Sequence, residues 1–110
     1  MRQYVVDELR KKEVEKVKEY LDKSCDLSDM VGLYWLKMPD DILSPTQYEH
    51  KSCQPHCAAI ELGDSWVKFE MLVRSRQKIR CECVSFATIQ QRTFLLSFID
   101  KLLDETGIKI

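Results

Sequence analysis

The sequence predicts an α+β fold, with an antiparallel sheet of about four strands and an N-terminal and a long C-terminal helix on one face, a two-layer sandwich built by a single domain over residues 1–110. Three observations carry that prediction. The apolar period switches between helical and alternating along the chain. Two capping boxes, at Ser44 and Thr88, mark helix starts. The last three strand candidates are joined by connections too short for parallel crossovers.

The elements follow in order. Residues 2–7 place Tyr4 and Val6 on one side and Val5 on the other, which fits either a short edge strand or the first turn of the next helix. From Arg10 to Lys23, Val14, Val17 and Leu21 recur at helical spacing among Lys11, Lys12, Glu13, Glu15, Lys16 and Glu19, an amphipathic helix. Val31 to Lys37 reads as a strand, closed by the loop Met38-Pro39-Asp40-Asp41. Ser44-Pro45-Thr46-Gln47 supplies an N-cap serine, a first-turn proline and a glutamine that can reach back to the cap's amide, so a short helix starts at Pro45 and runs to about Ser52.

His56 to Leu62 is a further strand candidate, ending at Gly63-Asp64. Val67, Phe69, Met71 and Val73 then alternate with Lys68, Glu70, Leu72 and Arg74, the pattern of a half-buried strand. The turn Ser75-Arg76-Gln77-Lys78 leads into Ile79 to Phe86, which reads as the second arm of a hairpin with Ile79, Cys81 and Cys83 on one side. Thr88-Ile89-Gln90-Gln91 repeats the capping box and starts the last helix, whose stripe is Leu95, Phe98, Ile99 and Leu102. Thr106-Gly107-Ile108 closes it, with Gly107 left-handed and Ile108 folded back onto Leu103.

Composition limits what such a domain can be. The chain has 110 residues, 45% hydrophobic and 32% charged, with three glycines and three prolines, which describes one ordered domain with one core rather than a linker or a disordered tail. The longest apolar stretches are far too short for a membrane span, and Met1-Arg2-Gln3-Tyr4 opens into a charged segment, so the expectation is an intracellular, cytoplasmic protein with no membrane partner. In a reducing compartment five cysteines are thiols or ligands rather than disulfides, and an odd number leaves one without an intrachain partner.

Net charge is −1, unevenly placed. Residues 1–67 carry nine Lys and Arg against thirteen Asp and Glu, whereas residues 68–92 carry six against two. Arg74, Arg76, Lys78 and Arg80 cluster around one turn and are candidates for contact with an anion or an acidic partner. The turn has no interleaved aromatic residue and the chain no overall excess of positive charge, so a nucleic-acid partner is not expected.

Site chemistry concentrates in two short segments. His50-Lys51-Ser52-Cys53-Gln54-Pro55-His56-Cys57 holds both histidines and two cysteines, and Cys81-Glu82-Cys83 adds two more. Imidazole and thiolate bind borderline-soft metals, and zinc at His50, Cys53, Cys57 and Cys81 or Cys83 is the cofactor this set would take. Three of these donors converge if the short helix ends near Ser52, because His50 and Cys53 lie three apart. The spacing matches no zinc signature, and Cys81 and Cys83, sharing a side with Ile79, are equally explained as buried thiols.

A thiol enzyme would use Cys57 or Cys53 with His56 or His50 as base. Adjacent residues of a strand point to opposite faces, which separates His56 from Cys57, and no phosphate loop or nucleophile elbow is present. The last helix bears Phe94, Leu95, Leu96, Phe98, Ile99, Leu102 and Leu103, a wider apolar band than one sheet face covers. Either the first helix covers the flank at Phe94, Leu96 and Leu103, or a second chain does in a homodimer. The reading these features support first is a small intracellular interaction or assembly module, with a zinc-binding regulatory domain as the alternative and a thiol-dependent enzyme third.

Overall fold

The computed structural model describes residues 2–109; Met1, at the head of the charged opening segment, and Ile110 lie outside them. Six strands and three helices follow one another as β1 (Gln3–Val6), α1 (Lys11–Ser24), β2 (Asp26–Leu27), β3 (Leu33–Lys37), α2 (Pro45–Glu49), β4 (His56–Leu62), β5 (Val67–Ser75), β6 (Ser85–Phe86) and α3 (Ile89–Thr106), with short 3₁₀ turns at Asp40–Ile42 and Lys51–Cys53. All strands belong to one antiparallel sheet in the order β1-β5-β4-β3-β2, and the fold is α+β.

β5 is the organising strand. One side of it pairs with β4 along its length, and its other side is shared end to end: β1 takes Val67 to Glu70 and β6 takes Leu72 and Val73. Within residues 2–7, Gln3–Val6 therefore form an edge strand rather than a helical turn. The sheet has six strands instead of about four, because β2 and β6 are two-residue pairings that no periodicity can show. β3 begins at Leu33 rather than Val31, which is fully exposed in a turn. There Gly32 holds a φ of +83° against the Leu62 carbonyl, 2.8 Å from where a Cβ would stand.

The main correction concerns Ile79 to Phe86. Only Ser85 and Phe86 are strand; residues 76–84 form a loop, and Ile79 is 89% exposed. Alternation of Ile79, Cys81 and Cys83 looked like a buried strand face, but the two cysteines turn inward for a different reason, taken up below.

One core joins sheet and helices. Val17 and Leu21 of α1 and Leu95, Ile99 and Leu102 of α3 are buried with Tyr34, Ala58, Ile60, Val67, Phe69 and Val73 of the sheet. α1 meets α3 directly through Tyr20 and Phe98, whose ring centroids are 5.9 Å apart. The caps read from sequence are all made: Ser44 with Gln47, Thr88 with Gln91, and at the end of α3 a left-handed Gly107 with the Ile108 amide donating to the Leu103 carbonyl at 3.0 Å. α2 stops at Glu49, short of Ser52, and a 3₁₀ turn continues the chain to Cys53. No described helix is long and apolar enough to cross a membrane.

His56, at the head of β4, is buried, and both ring nitrogens lack a hydrogen-bond partner among the described residues. Burial lowers its pKa from the ordinary value, and the nearby His50 acts in the same direction. On acidification the unfolded chain takes up this proton before the native one, so native stability falls as pH drops below ~6.5. His56→Leu removes two unpartnered polar atoms. It is expected to leave stability at pH 7 unchanged or raise it by about 1 kcal/mol, and to lessen the loss between about pH 7 and 5 in urea unfolding. A variant as acid-sensitive as the parent would place that sensitivity elsewhere.

Candidate metal centre

Two chain segments build the site, and each is fixed by hydrogen bonds that the sequence dictates locally. The first runs from Ser44 to Cys57. Ser44 Oγ accepts from the Gln47 amide at 3.2 Å while Gln47 Oε1 accepts from the Ser44 amide at 3.0 Å, which sets the start of α2. Five helical residues later His50 is the C-cap, its amide donating to the Thr46 carbonyl at 3.1 Å. The 3₁₀ turn then brings the Cys53 amide to the His50 carbonyl at 3.0 Å, so the two side chains leave the same end of the helix.

The second segment is the 76–84 loop. Ser75 Oγ accepts from the amides of Gln77 and Lys78, both at 3.0 Å, and donates to the Cys53 carbonyl. The Arg76 amide donates to the Pro55 carbonyl at 3.1 Å. At the far end, Gln47 Nε2 donates to the Cys83 carbonyl at 3.1 Å. The loop is thus stitched to the 44–57 segment at three points, and Cys81 and Cys83 come to rest over His50 and Cys53.

His50, Cys53, Cys81 and Cys83 each present a donor atom, and the four atoms lie within 4.8 Å of one another. His50 Nδ1 stands 3.2 Å from Cys81 Sγ, and Cys53 Sγ 3.8 Å from Cys81 Sγ. With zinc–sulfur bonds of ~2.3 Å, two sulfurs at corners of a tetrahedron are ~3.8 Å apart, and a sulfur and an imidazole nitrogen ~3.6 Å. The sulfur pair already has the spacing such a shell needs, and the nitrogen would move outward by a few tenths of an ångström. The other ring nitrogen, Nε2, is 3.4 Å from the Glu82 carboxylate, the partner that would hold the ring with Nδ1 toward the metal.

The protonation pattern suits a ligand cluster. Hydrogen bonds from the Cys83 backbone and thiol, and then from His50 and Cys53, lower the pKa of the Cys81 thiol, whereas burial, followed by the neighbouring Cys81 and Cys53 sulfurs, raises that of Cys83. One sulfur in the group is ready as thiolate; another must give up a proton when a metal enters.

Cys57 does not join this group. It lies in β4 between Lys37 and Arg74, fully buried, and burial raises its thiol pKa although Arg76 lies beside it. Alternation along the strand turns it from the loop that carries Cys81. Both Cys81 and Cys83 enter the cluster, where the sequence offered one or the other. Glu82 and the anchoring role of Gln47 went unseen. The Cys-Glu-Cys triplet does put a carboxylate between two ligands, but nothing in a single sequence says that it faces His50.

The basic turn is partly engaged within the chain. Arg74 clamps Glu70 through Nε at 2.7 Å and Nη2 at 3.2 Å, and Arg76 sits over the Trp35 ring at 5.1 Å and 4.0 Å from Asp26. Lys78 and Arg80 are exposed. Of the helix-flank residues, Phe94 and Leu103 are half-buried against the chain's own core, and Leu96 is 42% exposed. No protein-family model matches the chain, and neither does any curated protein or solved structure.

Gln47 is the residue on which the loop's anchorage should depend most. Gln47→Leu leaves the Ser44 amide and the Cys83 carbonyl without this partner and Gln91 Nε2 with only the Ile42 carbonyl, and is expected to cost about 3 kcal/mol in denaturant unfolding. Ser44→Ala, which removes only the cap oxygen, should cost about 1 kcal/mol. Equal losses in the two variants would mean that Gln47 acts as a cap alone.

Proposed function

We propose that this protein is a small zinc-binding α+β module in which His50, Cys53, Cys81 and Cys83 hold one structural zinc ion. The observation that carries the reading is the convergence of these four donors, drawn from two segments some thirty residues apart, within 4.8 Å. Four protein ligands complete a tetrahedral shell and leave no position for substrate or water, which favours a structural over a catalytic role. Cys3His is also a ligand set that such zinc sites use.

Burial supports the same reading from another direction. From Arg76 to Arg80 every residue is exposed, and the loop contributes only Cys83 to the buried set. Apolar packing gives this loop little reason to hold one shape. A metal ligated by Cys81 and Cys83 would, because zinc-binding free energy is available to order the ligands' segments. What the loop would then display is Lys78, Ile79 and Arg80, an isoleucine with most of its surface in water between two cations. That display favours an interaction module whose binding loop the metal holds in place, with an anionic protein partner as the matching chemistry.

Zinc added to the reduced chain should bind at one equivalent and raise the melting temperature by roughly 10 °C when present at about a hundredfold over its dissociation constant. Cobalt should give sulfur-to-metal charge-transfer absorption. Cys53→Ser and Cys81→Ser should each abolish tight binding. Cys57→Ser should keep the one-to-one stoichiometry while losing about 1–3 kcal/mol of stability for a buried hydroxyl. Zinc uptake that requires Cys57 and spares Cys81 would overturn the assignment. Glu82→Gln should weaken zinc binding by roughly tenfold or more, with the cobalt spectrum still that of three sulfurs.

A further inference from the structure

We propose that the cluster is also a peroxide-sensitive dithiol, in which Cys53 and Cys81 close to a disulfide and the metal leaves; this rests on the zinc reading above. Of the three sulfur donors, Cys53 and Cys83 are buried and Cys81 is partly exposed. A dissolved oxidant therefore meets Cys81 first. Cys53 Sγ lies 3.8 Å from Cys81 Sγ, so the pair must close by about 1.8 Å to reach a disulfide bond length of ~2.05 Å. Cys81 follows Ile79 and Arg80, whose side chains are exposed, so no buried packing on that side of the loop opposes the movement. A bond between Cys81 and Cys83 would instead close a tight ring through Glu82 alone.

The chemistry balances with a peroxide as the oxidant. The Cys81 thiolate attacks one peroxide oxygen and the O–O bond breaks; the sulfur becomes a sulfenic acid, and the departing hydroxide takes a proton and leaves as water. The Cys53 thiolate then attacks the Cys81 sulfur, the S–S bond forms, and hydroxide is expelled and protonated to a second water. The two sulfurs together lose two electrons and the peroxide gains two. Zinc is left with His50 and Cys83, too few ligands to hold it, and is released.

The remaining cysteines provide an internal control. Burial pushes the Cys25 thiol up to about 12 and raises that of Cys57, so both stay as unreactive thiols under the same treatment.

The full chain, loaded with one equivalent of zinc, is treated with one equivalent of hydrogen peroxide. Zinc release is read with a chromogenic chelator and the disulfide by non-reducing peptide mass mapping. The expected result is one zinc released and two thiols lost per chain, a Cys53–Cys81 linked peptide, free Cys25 and Cys57, and recovery of zinc binding after a thiol reductant. Retention of zinc and thiols overturns the inference and leaves the zinc reading standing. So does release with Cys81 oxidised to sulfinic acid, or with a linked peptide containing Cys83. A reduced chain that binds no zinc before peroxide is added overturns both.

Discussion

Two buried glutamine side chains fix where both later helices begin and where the ligand loop ends. Gln47 Oε1 accepts from the Ser44 amide and from Gln91 Nε2, at 3.0 and 2.8 Å, while its Nε2 donates to the Cys83 carbonyl. Gln91 Oε1 accepts from the Thr88 amide at 3.0 Å, and its Nε2 also donates to the Ile42 carbonyl at 3.0 Å. Each glutamine closes its own capping box, and the Gln91 Nε2 donation to Gln47 Oε1 joins the two. The start of α2, the start of α3, the Asp40–Ile42 turn and the Cys83 loop therefore meet at one point with almost no water access. In such a setting a satisfied amide network is stabilising and a broken one is expensive, so the four segments should hold or yield together.

The geometry of the donor cluster is a consequence of that junction. His50 is where it is because α2 starts at Pro45 and lasts five residues, and Cys83 is where it is because its carbonyl is held by Gln47. Cys53 is placed from the other side by the Ser75 hydroxyl, which in the same contact shapes the turn at Gln77 and Lys78. None of these anchors is a ligand. They bring the donors to within 4.8 Å before any metal is considered, which lowers the ordering cost that binding must meet.

Much of the fold was legible because it is written in local patterns. Capping boxes at Ser44 and Thr88, the Schellman close at Gly107 and the alternation of Val67 to Val73 each depend on residues a few positions apart, and each is found in the structure. β2 and β6 were not legible, since a two-residue strand has no period. The segment 79–86 misled for a more instructive reason. A Cys-x-Cys pair that converges on one point and a strand with two buried cysteines give the same alternation, and only the fate of Ile79, which faces water, distinguishes them. At the site, residue type was informative and spacing was not. The donors pair as His50-x2-Cys53 and Cys81-x-Cys83 across a tertiary contact, and that contact is made by Gln47 and Ser75, whose long-range roles leave no mark in the sequence around them.

The sheet also explains why such a loop needs a fastening beyond packing. β5 gives its outer side to two short strands, β1 up to Glu70 and β6 from Leu72, and β6 can reach its place only after the chain has left Ser75 and returned. The nine residues that make this excursion are mostly charged or polar and are tied to the 44–57 segment at Pro55 and Gln47. Extending the apolar core beneath them would place exposed arginines and a lysine against it, at a desolvation cost that a handful of methylene contacts does not repay. A polar fastening of thiolates and imidazole around a divalent ion avoids that conflict, since its ligands need only one another. Under the proposed zinc reading, loss of the metal would leave the excursion from Arg76 to Val84 held by its bonds to Gln47 and Pro55 and by the Ser75 contact with Cys53, while β4, β5 and α3 keep their own contacts.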